Sequence, residues 1–285
     1  MEQGAIFVQC DVRKPIAPAL CEQAPDVIVN LAAIHTSPGH QPHEYFEANI
    51  LGARHITAYA ANQNTKKIIF TSSISVYGPG EDEKSEENIQ MPNIPYGSSK
   101  AIAEFIHREW YANGTDKLLC ILRPGVIFGQ GEGGNFTRMA NAMEKGYFIY
   151  PGRKDTIKAC LYVKDICRFI IAMTDQNAGY SLYNFCYPQK ISTSMIAQAF
   201  HDALGYKMPR LVMPLWLINA GAGILRMVNL PAIRKMGLVP DRIAKLVKST
   251  NISSQKLCNS GFTFKYTLTE ALADWGSDCK GKHLI

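Results

Sequence analysis

The sequence has little of what marks a nucleic-acid-binding, metal-binding or disulfide-linked protein. Its basic residues occur singly or in pairs such as Lys66-Lys67, whereas nucleic-acid binders concentrate them in a run or on one face. Its eight cysteines form no CxxC pair and follow no regular spacing. We therefore expect no nucleic-acid partner, no metal site and reduced thiols, as in a cytoplasmic protein without a signal peptide.

Long hydrophobic runs are also scarce. The most membrane-like stretch is "LVMPLWLINAGAGIL", residues 211–225, which is shorter than the roughly 20 apolar residues of a membrane-spanning helix. It also contains Pro214 and Asn219. This composition favours a buried or pocket-lining helix, and contact with a membrane surface is the alternative.

The chain does have the length and composition of an ordinary globular protein. It has 285 residues, of which 47% are hydrophobic and 19% charged. That is enough for a large core in one α/β domain, with or without a smaller lobe. The formal net charge of +6 suits an anionic small ligand, and a solvated surface explains it equally well.

Apolar runs alternate with helix-like stretches through the first two thirds of the chain. Strands are predicted at residues 5–12 and 26–34, in "KKIIFTSSISVYG", and in "KLLCILRPGVIFG" up to Pro124. Helices are predicted at residues 44–62 and 96–113. Strands separated by helices predict βαβ units, hence a parallel sheet covered on both faces.

The pattern changes after Gly129, which suggests a second lobe. A glycine-rich loop is followed by a predicted helix at residues 137–146 and, later, by a strand near 181–187 that returns to the sheet. The acidic stretch "GEDEKSEEN" is expected to be an exposed loop. We predict a nucleotide-binding domain over residues 1–128 and a mainly substrate-binding lobe over 129–285.

The stretch "PYGSSK" carries the first chemical signal. Tyr96 and Lys100 are four residues apart, so a helix places them on one face. A tyrosine hydroxyl titrates near ~10, and a neighbouring ammonium lowers that pKa toward the range of a usable general base. Such a base suits proton removal from an alcohol whose carbon loses a hydride, and Ser73 is placed to hold the oxygen. Taken alone, the Tyr-x-x-x-Lys pair is a weak signal because it occurs often by chance.

The order of the surrounding motifs is more specific. "VIVNLAA", "NILG", "FTSSISVYG", "PYGSSK" and "LRPGVIFG" follow one another and continue through "YVKD" to the tail "STNISSQKLCNSGFTFKYTLTEALADW". Together they resemble the extended short-chain dehydrogenase/reductase family over nearly the whole chain. The resemblance implies a Rossmann-like α/β fold, a parallel sheet with helices on both faces that is N-terminally incomplete, and a smaller C-terminal lobe. It also implies NAD or NADP as cofactor.

The resemblance assigns roles to individual residues. Tyr96 is the catalytic acid and base, Ser73 binds the reacting oxygen, and Lys100 lowers the pKa of Tyr96 and holds the cofactor ribose. The full set implied to bind cofactor is Asp11, Val12, Leu31, Ala32, Ala33, Asn49, Tyr96, Lys100 and Pro124. Plain core packing is the alternative for the apolar members of that set.

The start of the chain departs from the family. The family opens with a strand, a glycine-rich turn and a helix that receives the pyrophosphate, whereas "MEQGAIF" has no such motif and begins at what resembles the third strand. A start placed late at an internal Met is the favoured explanation. A degraded paralogue and a partner that supplies the segment are the others. The family residue that distinguishes NAD from NADP also belongs to that opening segment, so the resemblance does not choose between the two cofactors.

The substrate is the least determined feature. The resemblance to sugar-nucleotide epimerases implies Ser73, Ser75, Val126, Asn135 and Lys158 as substrate residues. Lys158 stands where an arginine often grips phosphate, and it lacks the bidentate fork. Ile74 and Ser75 stand where 4,6-dehydratases carry an acidic pair, so epimerisation or oxidation of a nucleotide sugar is expected rather than dehydration.

Two alternatives stay open at this point. "TSSISVYGP", "LRPGVIFGQG" and residues 211–225 also resemble 3β-hydroxysteroid and dihydroflavonol reductases, which act on apolar alcohols. A non-catalytic binding protein on the same scaffold is the other alternative. The resemblance further implies a small-molecule substrate and a homodimer through the helix that bears Tyr96.

Overall fold

The computed structural model describes residues 4–36, 39–217, 247–279 and 284. The chain forms two compact units that interleave along the sequence. The first comprises Met1–Gly78, Asn88–Arg123 and Ile170–Tyr183, and the second comprises Pro79–Glu87, Pro124–Phe169 and Asn184–Ile285. The predicted nucleotide-binding and substrate-binding domains at 1–128 and 129–285 stay a prediction; relative to that boundary, 79–87 and 124–128 lie in the second unit and 170–183 in the first.

Helices and strands alternate in the order that the sequence predicted. In chain order they are β1 (Val27–Asn30), α1 (Pro42–Phe46), a π-helical turn (Glu47–Leu51), α2 (Gly52–Asn62), β2 (Lys67–Thr71), a 3₁₀ turn (Ile74–Tyr77), β3 (Gly80–Lys84), α3 (Pro95–Ala112), β4 (Leu118–Pro124), β5 (Val126–Phe128), α4 (Asn135–Glu144), β6 (Tyr150–Pro151), β7 (Cys160–Tyr162), α5 (Val163–Thr174), β8 (Gly179–Phe185), α6 (Thr193–Leu204), β9 (Val212–Met213), β10 (Thr250–Ile252), α7 (Gln255–Asn259) and α8 (Leu268–Asp278).

A four-stranded sheet in the order β1-β2-β4-β8 forms the centre of the first unit. The β1–β2 and β2–β4 pairs are parallel. All seven residues of β4 are buried, as expected for a strand covered on both faces. β8 returns to the sheet as predicted, and the α/β fold class is confirmed.

Helices α2 and α3 supply the apolar side chains that cover this sheet. Ala53 and Ala60 of α2 and Ala103 and Trp110 of α3 form one buried cluster with strand residues such as Phe70. Small residues on the helices let them lie close to the strands. At roughly 25 cal/mol for each Å² of buried apolar surface, such clusters supply most of the folding free energy.

The predicted strand at residues 5–12 is wrong. Residues 5–11 have no regular secondary structure, residue 12 lies in a turn, and none of the described strands pairs with this segment. Ile6 is 88% and Phe7 81% exposed. The apolar composition favours a strand locally, but a ladder forms only where a neighbouring strand offers hydrogen-bonding groups.

The expected helix at 44–62 begins earlier and contains an irregularity. Gln41 and Glu44 form a capping box at the start of α1, which fixes the first turn. The π-helical turn then separates α1 from α2. Such turns widen a helix by one residue and often lie at functional sites. Asn49 lies in this turn.

The second unit has its own aromatic core. Its largest fully buried side chains include Phe128, Tyr150, Tyr162, Phe200 and Trp275. Stacked and edge-on ring contacts join many of them. One example is the parallel stack of Phe128 on Phe136, with centroids 4.5 Å apart.

Two expectations for the second unit are wrong. The acidic stretch is not a loop, because Gly80–Lys84 forms β3 and pairs in parallel with β10. Glu81 accepts hydrogen bonds from Arg153 and Ser249, and the hydrogen bond from Arg153 is the main reason that its pKa falls to about 2. Val212–Met213 pairs with β6 as strand β9 in place of the start of the predicted helix, whereas residues 215–217 are helical as predicted. Residues 218–225 of that predicted helix lie outside the described residues.

Candidate active site

The predicted catalytic residues lie where strand β2 ends and helix α3 begins. Within the first unit, Thr71 is the last residue of β2, Ser73 follows it, and Tyr96 is the second residue of α3. Pro95 occupies the first helical position, where its missing N–H costs nothing. Ligands of open parallel sheets bind outside the carboxyl ends of the strands, so this is the expected location of a site.

Ser73 lies next to Tyr96. Its side chain is near enough to the phenol to lower the pKa of Tyr96, an effect smaller than that of burial. The Ser73 hydroxyl also donates to Ser75 Oγ and accepts from the Ser75 amide, both at 3.1 Å. It therefore caps the 3₁₀ turn that follows and is fixed at the end of the strand. The structure thus brings together Ser73, Ser75 and Tyr96, as predicted.

Gly97 allows this close approach. A Cβ atom at residue 97 would overlap the carbonyl oxygen of Ser75 and contact the side chain of Pro92. Only glycine lets the first turn of α3 lie directly on the Ser73–Ser75 turn. Its place beside Tyr96 in "PYGSSK" was a sequence signal for such a contact.

Lys100 lies one turn after Tyr96 and is 2% exposed. Its Nζ donates to the Thr71 carbonyl at 2.7 Å and lies 4.8 Å from the centre of the Phe70 ring. Burial lowers the pKa of Lys100 to about 8, against the opposing influence of the Glu104 charge. The ammonium is thus held by strand β2 and by the ring beneath it.

The predicted lowering of the Tyr96 pKa by Lys100 is wrong for the chain as it stands. Burial raises the pKa of Tyr96, and the nearby Ser73 side chain opposes this to a smaller degree. The physical reason is that the Lys100 ammonium is directed at the Thr71 carbonyl instead of the phenol. Near neutral pH the phenol is therefore protonated.

Asn49 joins three parts of the first unit. Its Oδ1 accepts from the Ile34 amide at 2.9 Å, and its Nδ2 donates to the Ile34 carbonyl at 3.2 Å and to Ser99 Oγ at 2.8 Å. The π-helical turn, the segment after β1 and helix α3 are thereby tied together. The role of Asn49 in keeping the site in shape stays a prediction.

The exit of β1 is held by a pair that the sequence did not single out. Asn30 Oδ1 accepts from the Ala32 amide at 3.2 Å, and Asn30 Nδ2 lies 3.2 Å from His107 Nε2. His107 Nδ1 donates to the Ala103 carbonyl, so Nε2 is the acceptor. Burial lowers the pKa of His107 to about 4, which keeps the ring neutral. Leu31 is 62% exposed, and Ala32 and Ala33 are half-buried.

Asp11 and Val12 lie beside helix α2. Asp11 forms hydrogen bonds with Arg13, which lower its pKa to about 2. The Val12 carbonyl accepts from His55 Nδ1 at 2.8 Å, and the Val12 side chain would lie 3.1 Å from a Cβ atom on Gly52. An ionised carboxylate and an apolar side chain thus follow one another beside α2, and their role as adenine contacts stays a prediction.

The other predicted residues belong to the second unit and lie on separate elements. Pro124 ends β4, and Val126 begins β5. Asn135 is the first residue of α4, where its Oδ1 accepts from Arg138. Lys158 Nζ donates to the Lys248 carbonyl at 2.8 Å, and burial lowers its pKa to about 8.

The glycine-rich loop supplies its own anion to the start of α4. The Glu132 carboxylate accepts from the Thr137 amide at 2.8 Å, from its hydroxyl at 2.6 Å and from the Phe136 amide at 3.3 Å. An acidic side chain at a helix N-terminus is electrostatically favourable. Within the described part of the chain, no group of three or more acidic, His or Cys side chains could hold a metal ion. The described helices include none with the length and apolar character to cross a bilayer.

Known proteins share the sequence pattern of this chain. The model of the family described as "NAD dependent epimerase/dehydratase family" matches residues 1–186. N-acetyl-alpha-D-glucosaminyl-diphospho-ditrans,octacis-undecaprenol 4-epimerase of Escherichia coli O157:H7 is 30% identical over 249 residues, which cover 87% of this chain and 75% of that protein. UDP-glucose 4-epimerase of Vibrio cholerae is 27% identical over 180 residues, 60% of this chain and 54% of that enzyme.

A solved structure shows the same fold. MoeE5 in complex with UDP-glucose and NAD superimposes with a TM-score of 0.71 at 18% identity, over 96% of this chain and 86% of that one. At this identity the likeness concerns the fold alone. The family model covers more than half of the chain, and the Escherichia coli protein aligns over most of both lengths. The chain belongs to the NAD dependent epimerase/dehydratase family.

Proposed function

We propose that this protein is an NAD(P)-dependent 4-epimerase of a sugar joined to a diphosphate. The observation that carries the proposal is the proximity of Ser73 and Tyr96, with Lys100 buried one turn further along α3. Those three groups meet at the carboxyl ends of the strands, where a cofactor and a sugar hydroxyl can both be reached. Family membership supports the reaction class.

The residues of the first unit fit a nicotinamide dinucleotide. Asp11 offers an ionised carboxylate, the exposed Leu31 and half-buried Ala32 follow β1, and Asn49 fixes the segment after them. Lys100 is a buried cation whose bond to a backbone carbonyl can be exchanged for one to a ribose hydroxyl. When bound, the nicotinamide supplies reversible hydride acceptance.

The chain's own residues handle the proton. Ser73 would bind the oxygen at the reacting carbon. Tyr96 would take the hydroxyl proton only in its ionised form, so the bound state must offset the rise in its pKa, and the hydride lost from the carbon would need the bound nicotinamide as acceptor. Return of that hydride to the opposite face of the ketone, with return of the proton from Tyr96 to its oxygen, would complete the inversion. Ile74 and Ser75 supply no carboxylates beside Ser73, so elimination of water has no acid or base there.

The substrate class follows from what relatives act on. The Escherichia coli relative is named for a sugar on diphospho-undecaprenol, and the Vibrio cholerae relative for UDP-glucose. Both substrates contain a sugar joined to a diphosphate. The stretches "GEGGNF" (residues 131–136) and "YVKD" (162–165) resemble those of sugar-nucleotide epimerases. They therefore favour a nucleotide as the carrier of the sugar diphosphate. Asn135 and Lys158 stay predictions as diphosphate contacts.

A second candidate is a sugar on a lipid diphosphate. The observation that favours it is a short apolar surface in the second unit, where Leu211 is 65%, Leu215 41% and Trp216 70% exposed. Isolated apolar side chains on a surface are ordinary, but a run of them suits a lipid tail. This candidate shares the chemistry above and differs only in the carrier.

We also propose that the protein forms a homodimer through α3. Phe105 is 59% and Ile102 42% exposed on this helix. Both lie on the side of the helix opposite the buried Lys100 and Glu104. A second copy would bury these side chains without covering the catalytic residues.

The experiment is a direct test of cofactor binding and turnover. The purified chain is incubated with NAD or NADP and with UDP-N-acetylglucosamine or its polyprenyl-diphosphate counterpart, and the sugars are identified by NMR. Tyr96→Phe should lower kcat by about 10²–10⁴-fold, whereas Tyr111→Phe on the same helix should not. Absence of both cofactor binding and turnover would overturn the proposal and favour a non-catalytic protein. Turnover of steroid or flavonol alcohols alone would favour the apolar-alcohol alternative.

A further inference from the structure

A buried ion pair lies directly behind the candidate active site. Glu104 of α3 is 0% and Arg123 of β4 2% exposed. Two hydrogen bonds join them, from Arg123 Nε to Oε1 at 2.8 Å and from Nη2 to Oε2 at 2.7 Å. Burial alone raises the pKa of Glu104, but the hydrogen bonds and charge of Arg123 outweigh it, so the carboxyl stays ionised.

The pair holds both ends of the segment that carries Ser73. The Ser72 hydroxyl donates to Glu104 Oε1 at 2.6 Å. At the other end, Arg123 Nη1 donates to the Tyr77 hydroxyl, and the guanidinium lies 4.8 Å from the Tyr77 ring centre. Ser73 therefore lies between two anchored residues.

The same carboxylate also binds the chain on the Tyr96 side. Glu104 Oε2 accepts from Gln90 Nε2 at 2.7 Å, and Gln90 precedes α3 by five residues. Arg108, one turn further along α3, donates to the same oxygen at 2.6 Å. Of the five hydrogen bonds that Glu104 accepts, those from Ser72 and Gln90 hold the chain on either side of the Ser73–Ser75 turn, and those from Arg108 and Arg123 fix the carboxylate itself.

Stability alone does not account for such a cluster. Taking two charges out of water is costly, and replacing a buried ion pair by apolar side chains is often neutral or stabilising. What the charges provide is direction, because a planar guanidinium bound at two points accepts only one geometry. An apolar pair would remove the hydrogen bonds that Ser72 and Tyr77 form with Glu104 and Arg123.

We propose that Glu104 and Arg123 are positioning residues that hold the Ser72–Tyr77 segment so that Ser73 meets Tyr96. This inference rests on the proposed function, since it concerns how the same Ser73 works. Neither residue contacts the reacting atoms. Both act through the backbone on either side of Ser73.

Three variants test this positioning role. Glu104→Gln keeps the shape and removes the charge, Ser72→Ala removes only the hydroxyl that binds Glu104, and Glu109→Gln is the matched control. Glu109 is exposed on the same helix. Ser72→Ala keeps the test valid where Glu104→Gln fails to fold, because it leaves the ion pair intact.

Kinetics with NAD and UDP-N-acetylglucosamine give the first readout. We expect Glu104→Gln to lower kcat by about 10- to 100-fold and Ser72→Ala by a smaller factor, with KM changed by less than about threefold. In a Ser73→Ala background both effects should vanish, because the residue through which they act is gone. Effects that persist undiminished in that background would overturn the proposal.

Hydrogen–deuterium exchange gives a readout that needs no activity. Both variants should raise exchange in the peptide that contains residues 72–77 more than elsewhere in the first unit, whereas Glu109→Gln should not. Unchanged exchange there in both variants would overturn the inference. A wild-type protein without turnover would reject the proposed function, and the exchange result would still decide whether Glu104 and Arg123 hold this segment.

Discussion

Gly97 offers the most direct test of how the first turn of α3 packs against the Ser73–Ser75 turn. A Cβ atom at this position would overlap the carbonyl oxygen of Ser75 and lie 3.0 Å from Cβ of Pro92. A backbone carbonyl and a proline ring cannot turn aside as the end of a flexible side chain can. Gly97→Ala therefore has to push the first turn of α3 away from the Ser73–Ser75 turn.

Two opposing effects set the size of the stability change. Alanine favours a helix over glycine by about 1 kcal/mol, and overpacking a close contact costs about 1–3 kcal/mol. A net loss of about 1 kcal/mol corresponds to a fall in Tm of about 2–4 °C for a chain of this size. Activity should suffer more, because a shift of about 1 Å between Ser73 and Tyr96 costs on the order of 100-fold in rate.

The assay compares kcat and Tm for the wild type, Gly97→Ala and Gly114→Ala. Gly114 is a matched control because a Cβ atom there would meet only the side chain of Lys117, nearest at 2.9 Å, and that side chain can move. A Gly97→Ala protein with wild-type kcat and Tm would refute the reasoning, since the approach of α3 would then tolerate a methyl group. Equal losses in Gly114→Ala would show that the effect is not local.

Three further predictions concern the surroundings of the site. Burial lowers the pKa of His107 to about 4, whereas a histidine in the unfolded chain titrates near about 6.5. As the pH falls, the unfolded chain therefore binds a proton at His107 before the folded chain does. The free energy of unfolding should be full above about pH 6.5 and fall by up to about 3 kcal/mol toward pH 4. Urea unfolding at several pH values across that range should show a free energy of unfolding that depends less steeply on pH in His107→Gln than in the wild type. If the proposed dimer forms through α3, Phe105→Glu should give a monomer in sedimentation velocity where the wild type gives a dimer, with Glu109→Gln as control. Thr267→Ala removes the N-cap of α8 and should cost about 1 kcal/mol in urea unfolding, whereas Ser277→Ala near the end of that helix should cost less.

Each of these has a clear contrary result. An acid slope that is unchanged in His107→Gln would mean that another group causes it. Wild-type sedimentation of Phe105→Glu would reject α3 as the dimer surface. Thr267→Ala with wild-type stability would mean that the capping box of α8 contributes nothing measurable.

The elements that the sequence predicted well are those whose surroundings are uniform. β4 is buried at every position, so a continuous apolar run is the expected pattern for it. Helix α3 likewise has a proline at its first position and a regular apolar stripe. Their bounds agree with the prediction to within a residue or so at most ends.

The elements that it missed depend on partners far away in sequence. The apolar composition of residues 5–12 does not say whether a neighbouring strand exists, and none of the described strands pairs with them. The acidic stretch at β3 pairs with β10, about 170 residues later. The interleaving of the two units has the same cause, because β8 crosses back to the sheet after a long excursion.

The candidate site likewise has one part that the sequence predicts and one part that depends on distant partners. The grouping of Ser73 with Tyr96 and Lys100 could be predicted because the residues lie close to strand ends and on one helix face. The proton affinities could not, because they depend on which acceptor the Lys100 ammonium reaches. It reaches the Thr71 carbonyl, and burial then raises the pKa of Tyr96 and lowers that of Lys100.

Helix α3 links chemistry and support through one spacing. Tyr96, Lys100, Glu104 and His107 follow at intervals of four, four and three residues, so all four lie on one face of the helix. The first two are the proposed base and its lysine, and the next two bind the segments that carry Ser73 and Ala32. A rotation of α3 about its axis would therefore misplace the base, its lysine and both supports together. This coupling explains why a methyl group at residue 97 should affect rate far more than stability.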